Sequence, residues 1–369
     1  MEAVVSPAFW RGKRVFVTGH TGFKGAWLSL WLHKLGARLS GYSLPPATQP
    51  SLFEAAKVES LVPTTYGDIR DPERLTAAVR HAEPDVVLHL AAQALVRRSY
   101  LDPVETYATN VMGTVHLLEA VRACPSVRAT IVVTSDKCYE NREWLWAYRE
   151  NEPMGGFDPY SSSKGCAELV TAAYRRSFFG QKDSLKRVPA LASVRAGNII
   201  GGGDWAEDRL IPDLTRAAYA HTPALIRNPG AIRPWQHVLG PAHGYLLLAQ
   251  KLWENGADFA EAWNFGPADD ESRPVAWVAD KFSEFWRDGA SWRAGDGSAQ
   301  PHEAHYLRLD SSKARSRLGW QPRWNLEHGL RRTIEWHLAH KKGVDMRLFS
   351  LNEIATYESG EVEAAYGTV

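Results

Sequence analysis

One short segment near the start of the chain constrains the possible folds more than any other. An apolar run at residues 15–17 leads into three glycines, Gly19, Gly22 and Gly25, and then into apolar residues at helical spacing. Glycines at this spacing allow a tight turn, close approach of the backbone to a pyrophosphate and close packing of a helix on a strand. The helix that follows presents free N–H groups to phosphates. We therefore predict a dinucleotide-binding loop, against the alternative of an ordinary strand-to-helix turn.

Apolar strand-like stretches alternate with helical ones through the first half of the chain. Strands are predicted at residues 15–18, 38–42, 85–90, 131–135 and 190–195, with helices such as 106–123 and 159–179 between them. Because each parallel strand needs a crossover helix, this alternation predicts an α/β fold with a doubly wound, Rossmann-like parallel sheet. Its active site is expected at the carboxyl ends of the strands.

The second half of the chain has a different composition. From Gly197 onward it is richer in glycine, proline and tryptophan, which predicts a smaller C-terminal α/β substrate lobe. We expect a dinucleotide-binding domain over residues 1–195, with a return segment at 235–265. The substrate lobe is then expected over residues 196–234 and 266–355. The acidic, weakly periodic residues 356–369 are predicted to form a flexible tail.

The balance of charged and apolar residues limits the partners. The 369 residues carry 43 Lys and Arg against 42 Asp and Glu, which argues against nucleic acid, since nucleic-acid binding usually requires a basic surface. No apolar run is long enough to cross a bilayer, so we expect a cytoplasmic protein without a membrane partner. The three cysteines are odd in number and widely spaced, and the 13 histidines show no ligand spacing. We therefore expect neither a disulfide framework nor a metal site.

A tyrosine and a lysine four residues apart lie in the middle of the chain. On a helix, Tyr160 and Lys164 share one face. A lysine ammonium near a phenol favours the phenolate, so a tyrosine whose pKa is ordinarily ~10 can act as a base nearer to neutrality. An isolated pair of this kind is more often plain helix surface. Here the pair follows a dinucleotide loop at a distance that allows three intervening strands, which favours a catalytic role.

A second polar cluster follows the apolar residues 129–133. Ser135, Asp136 and Lys137 bring a hydroxyl, a carboxylate and an amine to the end of a predicted strand, where ligands bind in this architecture. The alternative is a solvated turn pair of Asp136 and Lys137. Their predicted position beside Tyr160 favours a functional role.

With these motifs, the chain resembles the extended short-chain dehydrogenase/reductase family, and within it the nucleotide-sugar dehydratases. The resemblance extends from Arg11 to about His337. The motifs that carry it are TGHTGFKG at 18–25, GDIRD at 67–71, LHLAAQ at 88–93, Tyr160 with Lys164, RAGN at 195–198, RPWQHV at 233–238 and DSSKA at 310–314.

The resemblance implies NAD as cofactor, CDP-glucose as substrate and a homodimer or higher homo-oligomer. The implied cofactor-binding residues are Gly19, His20, Thr21, Gly22, Phe23, Lys24, Gly25, Ser43, Asp68, Ile69, Leu90, Ala91, Ala92 and Gln93, together with Tyr160 and Lys164. The implied substrate-binding residues are Asn198, Arg209, Arg233 and His237.

Three of these assignments have alternatives. The sequence leaves His20 equally open to a contact with the cofactor and to a plain loop role. Arg233 suits a nucleotide diphosphate because a guanidinium fits a pyrophosphate, and we assign His237 to the same end of the substrate. Both residues also fit a structural loop packed by Trp235. The turn at residues 41–46 has neither an acidic residue nor an arginine, so the residues alone leave NAD and NADP open.

The resemblance also implies the chemistry. Related dTDP- and GDP-sugar dehydratases carry Asp-Glu at positions 136 and 137, the CDP-glucose enzymes carry Asp-Lys, and epimerases carry small residues there. Water elimination needs an acid and a base, so the pair Asp136 and Lys137 favours a dehydratase. In the implied cycle, Tyr160 with Lys164 and Ser135 deprotonates the sugar 4-hydroxyl, Lys137 removes the C5 proton and protonated Asp136 assists loss of the 6-hydroxyl.

Two other classes remain at this stage. A nucleotide-hexose 4-epimerase would use the glycine loop and Tyr160 without the pair at positions 136 and 137. A non-catalytic, cofactor-sensing protein would keep the glycine loop but need not keep Tyr160 with Lys164. Because both are present, we rank that class last.

Overall fold

The computed structural model describes residues 4–179, 188–295 and 304–360. Twelve strands lie within these residues: β1 Arg14–Thr18, β2 Arg38–Ser43, β3 Thr64–Tyr66, β4 Val86–His89, β5 Ala129–Val133, β6 Ala190–Ala196, β7 Asn198–Ile200, β8 Ala224–Ile226, β9 Ile232–His237, β10 Ala262–Phe265, β11 Ser272–Pro274 and β12 Trp292–Ala294.

The same residues form fourteen α-helices. They are α1 Pro7–Trp10, α2 Phe23–Lys34, α3 Leu52–Ala55, α4 Pro72–Ala82, α5 Val96–Leu101, α6 Pro103–Tyr107, α7 Gly113–Arg122, α8 Pro159–Tyr174, α9 Leu210–Tyr219, α10 Leu239–Asn255, α11 Val275–Trp286, α12 Ser312–Leu318, α13 Leu326–Lys341 and α14 Met346–Ser359. One-turn π segments, Ala108–Met112 and Arg175–Phe179, continue α6 into α7 and extend α8.

Seven parallel strands form the main sheet, in the order β10-β6-β5-β4-β1-β2-β3. This order confirms the predicted doubly wound parallel fold. All five residues of β5 are buried, as expected of a central strand covered by helices on both faces. Strand β3 was not predicted, because its three residues are largely exposed and carry no apolar pattern.

The second half of the chain contributes to two places. Helix α10 packs on the main sheet and leads to β10, which pairs with β6 at the sheet edge. The rest forms two small sheets, β11-β9-β7 and β12-β8, around a separate apolar core that includes Trp235 and Phe282. The carboxyl ends of the main strands face this second group of elements across a cavity that both groups line.

The predicted tail begins too early. Helix α14 extends to Ser359, and Tyr357 is only 1% exposed because it packs against Trp31 and Trp324. These aromatic contacts are with residues distant in sequence, so local composition did not reveal them. Residues 361–369 of the predicted tail lie outside the described residues. None of the helices in the described part combines the length and apolarity needed to cross a bilayer.

Candidate active site

The glycine loop lies between β1 and α2 and forms a cradle that side chains would fill. Gly19 has φ +74°, and a Cβ there would lie 2.6 Å from the backbone nitrogen of Ala91. A Cβ on Gly25 would lie 2.2 Å from the carbonyl oxygen of Gly19. Gly22 caps α2 without any side-chain hydrogen bond, so the first N–H groups of the helix have no side-chain acceptor. A diphosphate fits such a site.

Two hydroxyls fix this loop to the end of β2. Thr21 Oγ1 lies 2.7 Å from Ser43 Oγ and donates to the carbonyl of Leu44 at 2.9 Å. After β4, the backbone N–H groups of Leu90 and Ala91 donate hydrogen bonds to Thr18, and the next residue, Ala92, is half-buried. The ring of Phe23 faces Gly201. These predicted cofactor residues therefore surround the loop.

His20 has the loop role. Its Nε2 lies 2.8 Å from Thr64 Oγ1, its ring meets the edge of Phe53, and the ring occupies the space that a Cβ on Gly41 would need. Burial lowers the pKa of His20 to about 4, so the ring is neutral. The prediction that His20 binds the cofactor through its side chain is wrong, because β2 and β3 enclose the ring.

Three further predicted cofactor residues have contacts of their own within the protein. The Asp68 carboxylate accepts from Arg70 at 2.6 and 2.9 Å, which lowers its pKa. Ile69 is buried against Gly113. The Gln93 amide donates to Thr106 and to the carbonyl of Leu95, beside the loop.

The turn after β5 brings the second polar cluster into one place. Ser135 caps a one-turn 3₁₀ helix, Asp136–Cys138: its Oγ accepts from the Lys137 N–H at 3.3 Å and donates to Asp136 Oδ1 at 3.0 Å. Asp136 is 1% exposed, and within the described residues its Oδ2 has no hydrogen-bond partner. The next residue, Lys137, is half-buried.

Helix α8 carries Tyr160 beside this turn. Asp158 caps the helix by accepting from the Ser161 N–H, and the Tyr160 N–H donates to Ser99 Oγ at 3.1 Å. Burial raises the pKa of Tyr160 to about 12, and the charge of Asp136 adds to this rise. A hydrogen bond with Ser135 and the charge of Arg209 both lower the pKa of Tyr160.

Burial of both residues works against the effect that the sequence predicts for Lys164, a lowered pKa of Tyr160. Burial, followed by the charge of Lys24, lowers the pKa of Lys164 to about 7. The groups found to favour the Tyr160 phenolate are Ser135 and Arg209. The expectation took account of helical spacing alone, whereas burial dominates at both residues.

A cavity of about 400 Å³ lies where these elements meet. The predicted residues that line it are Lys24, Ser135, Asp136, Lys137, Tyr160, Asn198, Arg209 and Arg233. Arg209 donates to Asp204 at 3.0 Å, which raises its pKa, and Arg233 donates to the carbonyl of Ile232. Asn198 Oδ1 is buried and has no partner among the described residues. Together, these predicted residues bring a carboxyl group, two amines, a phenol and two guanidinium groups to the cavity.

His237 lies outside this cavity. Its Nε2 is 3.1 Å from Glu353 of α14, and its ring packs near Trp27 and Trp324. The prediction that His237 binds substrate is therefore wrong. The carboxylate and the two indoles come from distant parts of the chain, and they hold the ring in a packed interior.

The sequence argument also missed charged residues of the site. Asp208, with φ +59°, bridges Arg97 at 3.5 Å and Arg227 at 2.8 Å on the cavity wall. Below the cavity, Glu168 pairs with Arg195 at 2.9 Å. The spacing 160, 164, 168 on one helix would have revealed Glu168, whereas no local pattern joins Arg97 to Asp208. In the described part of the chain, no cluster of three or more His, Cys, Asp or Glu could hold a metal ion.

The fold and site together are those of a Rossmann-type dinucleotide-binding enzyme with a tyrosine–lysine helix. Residues 16–259 match the family model of GDP-mannose 4,6 dehydratase. The chain is 56% identical to the CDP-glucose 4,6-dehydratase of Salmonella typhimurium over 356 residues, covering 96% of this chain and 99% of the relative. This chain belongs to the nucleotide-sugar 4,6-dehydratase family that this model describes.

The chain is also similar to more distant proteins. A dTDP-glucose 4,6-dehydratase of Xanthomonas campestris is 26% identical, over 89% of this chain and 94% of its own. The crystal structure of a dTDP-glucose 4,6-dehydratase from Streptomyces venezuelae, with NAD bound, has a TM-score of 0.74 at 22% identity and covers 90% of this chain and 99% of its own. A UDP-glucose 4-epimerase of Stenotrophomonas maltophila has a TM-score of 0.77 at 21% identity and covers 90% and 100%. The two structures support the fold alone.

Proposed function

We propose that this protein converts CDP-D-glucose to CDP-4-dehydro-6-deoxy-D-glucose with bound NAD. One observation carries the proposal: a carboxyl group and an amine, Asp136 and Lys137, line the same cavity as Tyr160. An elimination of water needs both an acid and a base, whereas hydride return to C4 in an epimerase needs neither. The 56% identity to a relative of that name supports the choice of CDP-glucose.

The residues of the glycine loop fit the cofactor. The backbone at Gly19, Gly22 and Gly25, with the N–H groups that begin α2, would hold the pyrophosphate of NAD, because a Cβ at Gly19 or Gly25 would meet backbone atoms. Thr21 and Ser43 would support that loop. NAD, when bound there, would supply the hydride acceptor for C4 of the sugar and, once reduced, the hydride donor for C6.

Tyr160 is the proposed base for the 4-hydroxyl. Its hydrogen bond with Ser135 and the charge of Arg209 favour the phenolate, against the effect of burial. Lys164, one turn further along α8, would add positive charge when protonated. Loss of the hydroxyl proton to Tyr160, together with loss of the C4 hydride to bound NAD, would leave a C4 ketone, and this ketone acidifies the hydrogen on C5.

The elimination step is assigned to the turn after β5. The Lys137 amine, half-buried on the cavity wall, takes the C5 proton and, as an ammonium, returns a proton to C5 when C6 is reduced. Asp136 gives a proton to the departing 6-hydroxyl. We assign that proton to Oδ2, because Ser135 Oγ already bonds to Oδ1. Arg233 is the proposed contact for the nucleotide diphosphate, since a guanidinium matches phosphate oxygens. Asn198, which also lines the cavity, is a further proposed substrate contact.

The product test uses the purified protein with CDP-, UDP-, dTDP- and GDP-glucose in turn. We expect a product lighter by one water from CDP-glucose, and no accumulation of free NADH in step with product. An isomer of unchanged mass would indicate an epimerase. Steady growth of NADH would indicate an ordinary dehydrogenase.

We also propose a homodimer. Leu101 and Val104, in the adjacent helices α5 and α6, are 86% and 77% exposed, and Leu169 on the neighbouring α8 is 60% exposed. Exposed apolar side chains on packed helices are typical of an interface between copies. Sedimentation of the protein should give twice the chain mass, and Leu101→Glu combined with Val104→Glu should give monomers. Monomers of the unaltered protein would contradict the proposal.

A further inference from the structure

Three ionisable side chains follow one another at helical spacing on α8. Tyr160 and Lys164 belong to the proposed site, and Glu168 lies one turn further along the same face. Glu168 is 3% exposed and does not line the cavity. A buried carboxylate is expensive to desolvate, and a hydrophobic pair of similar volume is often no less stable. This raises the question of what Glu168 contributes to the site.

Both carboxylate oxygens of Glu168 bond to the strands beneath the site. Oε1 accepts from Thr134 Oγ1 at 2.5 Å, and Thr134 directly precedes Ser135. Oε2 accepts from Ser193 Oγ at 2.7 Å and from Arg195 Nη2 at 2.9 Å, both on β6. Glu168 therefore connects α8 to the start of the turn that carries Asp136 and Lys137.

Arg195 extends this connection to the other end of the turn. Its Nη1 donates to Tyr139 Oη at 2.6 Å and to the carbonyl of Glu150 at 3.0 Å. Tyr139 directly follows the 3₁₀ turn Asp136–Cys138, and its hydroxyl donates to Asn264 at 2.7 Å. The Glu168–Arg195 pair thus holds residues on both sides of the turn relative to the helix that carries Tyr160.

Glu168 is also the one carboxylate found to act on Lys164. The groups that face Lys164 are Lys24 on α2, the Cys138 thiol in the turn, His89 on β4 and Glu168 on its own helix. Burial keeps His89 neutral and the thiol protonated. Burial and Lys24 lower the pKa of Lys164 to about 7, and Glu168 opposes them. Despite burial, Arg195 keeps the pKa of Glu168 below its ordinary value.

We propose that Glu168 is a positioning residue of the site, which fixes the Tyr160 helix relative to the Ser135–Cys138 turn and supplies the negative charge that keeps Lys164 protonated. This inference rests on the proposed function, in which a charged Lys164 assists Tyr160. Because burial and Lys24 lower the pKa of Lys164 to about 7, loss of the Glu168 charge should lower the fraction of molecules in which Lys164 is protonated near neutrality. Activity is then lost as the pH rises through the Lys164 titration.

The test follows Lys164 directly. All measurements use the full chain with saturating NAD. The NMR signal of Lys164 is identified as the lysine side-chain signal that is absent in Lys164→Met. This signal is then titrated in the parent, in Glu168→Gln and in Lys24→Met. We expect Glu168→Gln to lower the midpoint by about one pH unit and Lys24→Met to raise it. The alkaline limb of kcat for CDP-glucose should shift in the same two directions. At pH 7, Glu168→Gln should lose ~5-fold in kcat from this shift alone.

A second variant keeps the test valid if Glu168→Gln fails to fold. Glu168→Gln leaves Arg195 as a buried charge without its partner, so the double variant Glu168→Gln/Arg195→Met, which removes both charges, is measured beside it. The double variant should show the same lowered midpoint. An unchanged midpoint in the folded variants would overturn the proposal. A parent protein that dehydrates none of the nucleotide sugars would instead contradict the proposed function, and the NMR titration of Glu168→Gln would still decide the role of Glu168.

Discussion

The cofactor cradle and the catalytic cavity are neighbours, yet they are built in different ways. The cradle is made mostly of backbone, and its glycines are needed because a Cβ at Gly19 or Gly25 would meet other backbone atoms. The cavity is made largely of side chains from the turn after β5 and from α8, β7 and β9, and burial dominates the pKa of Tyr160. A cradle of this kind is determined by local sequence, whereas the cavity depends on the tertiary structure.

The largest expected effect lies in the cavity. Tyr160→Phe removes one hydroxyl and little contact area, so kcat should fall ~10²–10⁴-fold while binding of CDP-glucose and NAD changes little. Steady-state kinetics and calorimetric binding measure the two quantities. Tyr174→Phe, on the same helix but bonded to Glu119, is the matched control. Near-normal turnover in Tyr160→Phe would remove Tyr160 from the mechanism.

A change at His237 separates packing from substrate binding within a single strand. His237→Ala removes a buried ring that packs near Trp27 and Trp324, so the free energy of unfolding should fall by ~2–5 kcal/mol, while KM stays close to that of the parent. Arg233→Ala, four residues earlier on β9, should raise KM and leave stability nearly unchanged, since Arg233 lines the cavity. Denaturant unfolding and initial rates give both quantities. A raised KM with unchanged stability in His237→Ala would place His237 in the substrate site.

A smaller effect is expected in the cradle. Gly25→Ala places a Cβ 2.2 Å from the Gly19 carbonyl oxygen, so the loop must shift, at about 1–3 kcal/mol. We expect the affinity for NAD to weaken by a corresponding factor, with a normal kcat at saturating NAD. Gly230→Ala is the control, because a Cβ there meets no atom within 4 Å. Equal NAD affinity in the two variants would show that the cradle is not built by its glycines.

The features that can be predicted from the sequence belong mostly to the fold and the cradle, and those that cannot belong mostly to the side-chain environments. The strand-loop-helix at Gly19–Gly25, the parallel sheet and the grouping of Tyr160 with Asp136 all follow from local patterns and from the rule that strand ends meet at one edge. The errors at His20 and His237 have one cause: each ring is enclosed by residues distant in sequence, Thr64 and Phe53 for one, Glu353 for the other. Side-chain direction and burial are tertiary properties that spacing does not supply.

Lys164 and Glu168 show the intermediate case. Their positions on one helix face could be read from spacing, but the pKa of Lys164 could not, because it depends on burial and on Lys24 from another helix. The bridge from Asp208 to Arg97 and Arg227 was beyond prediction, since no periodicity relates these residues.

The central claim is that Lys137 removes the C5 proton in the cavity that Tyr160 shares. The most direct measurement follows single-turnover nicotinamide absorbance in Lys137→Met together with exchange of the C5 hydrogen with solvent deuterium. The variant should still oxidise C4 and form enzyme-bound NADH, but it should neither exchange the C5 hydrogen nor release water. Exchange and elimination at the parent rate would contradict the claim and make Lys137 an ordinary turn residue.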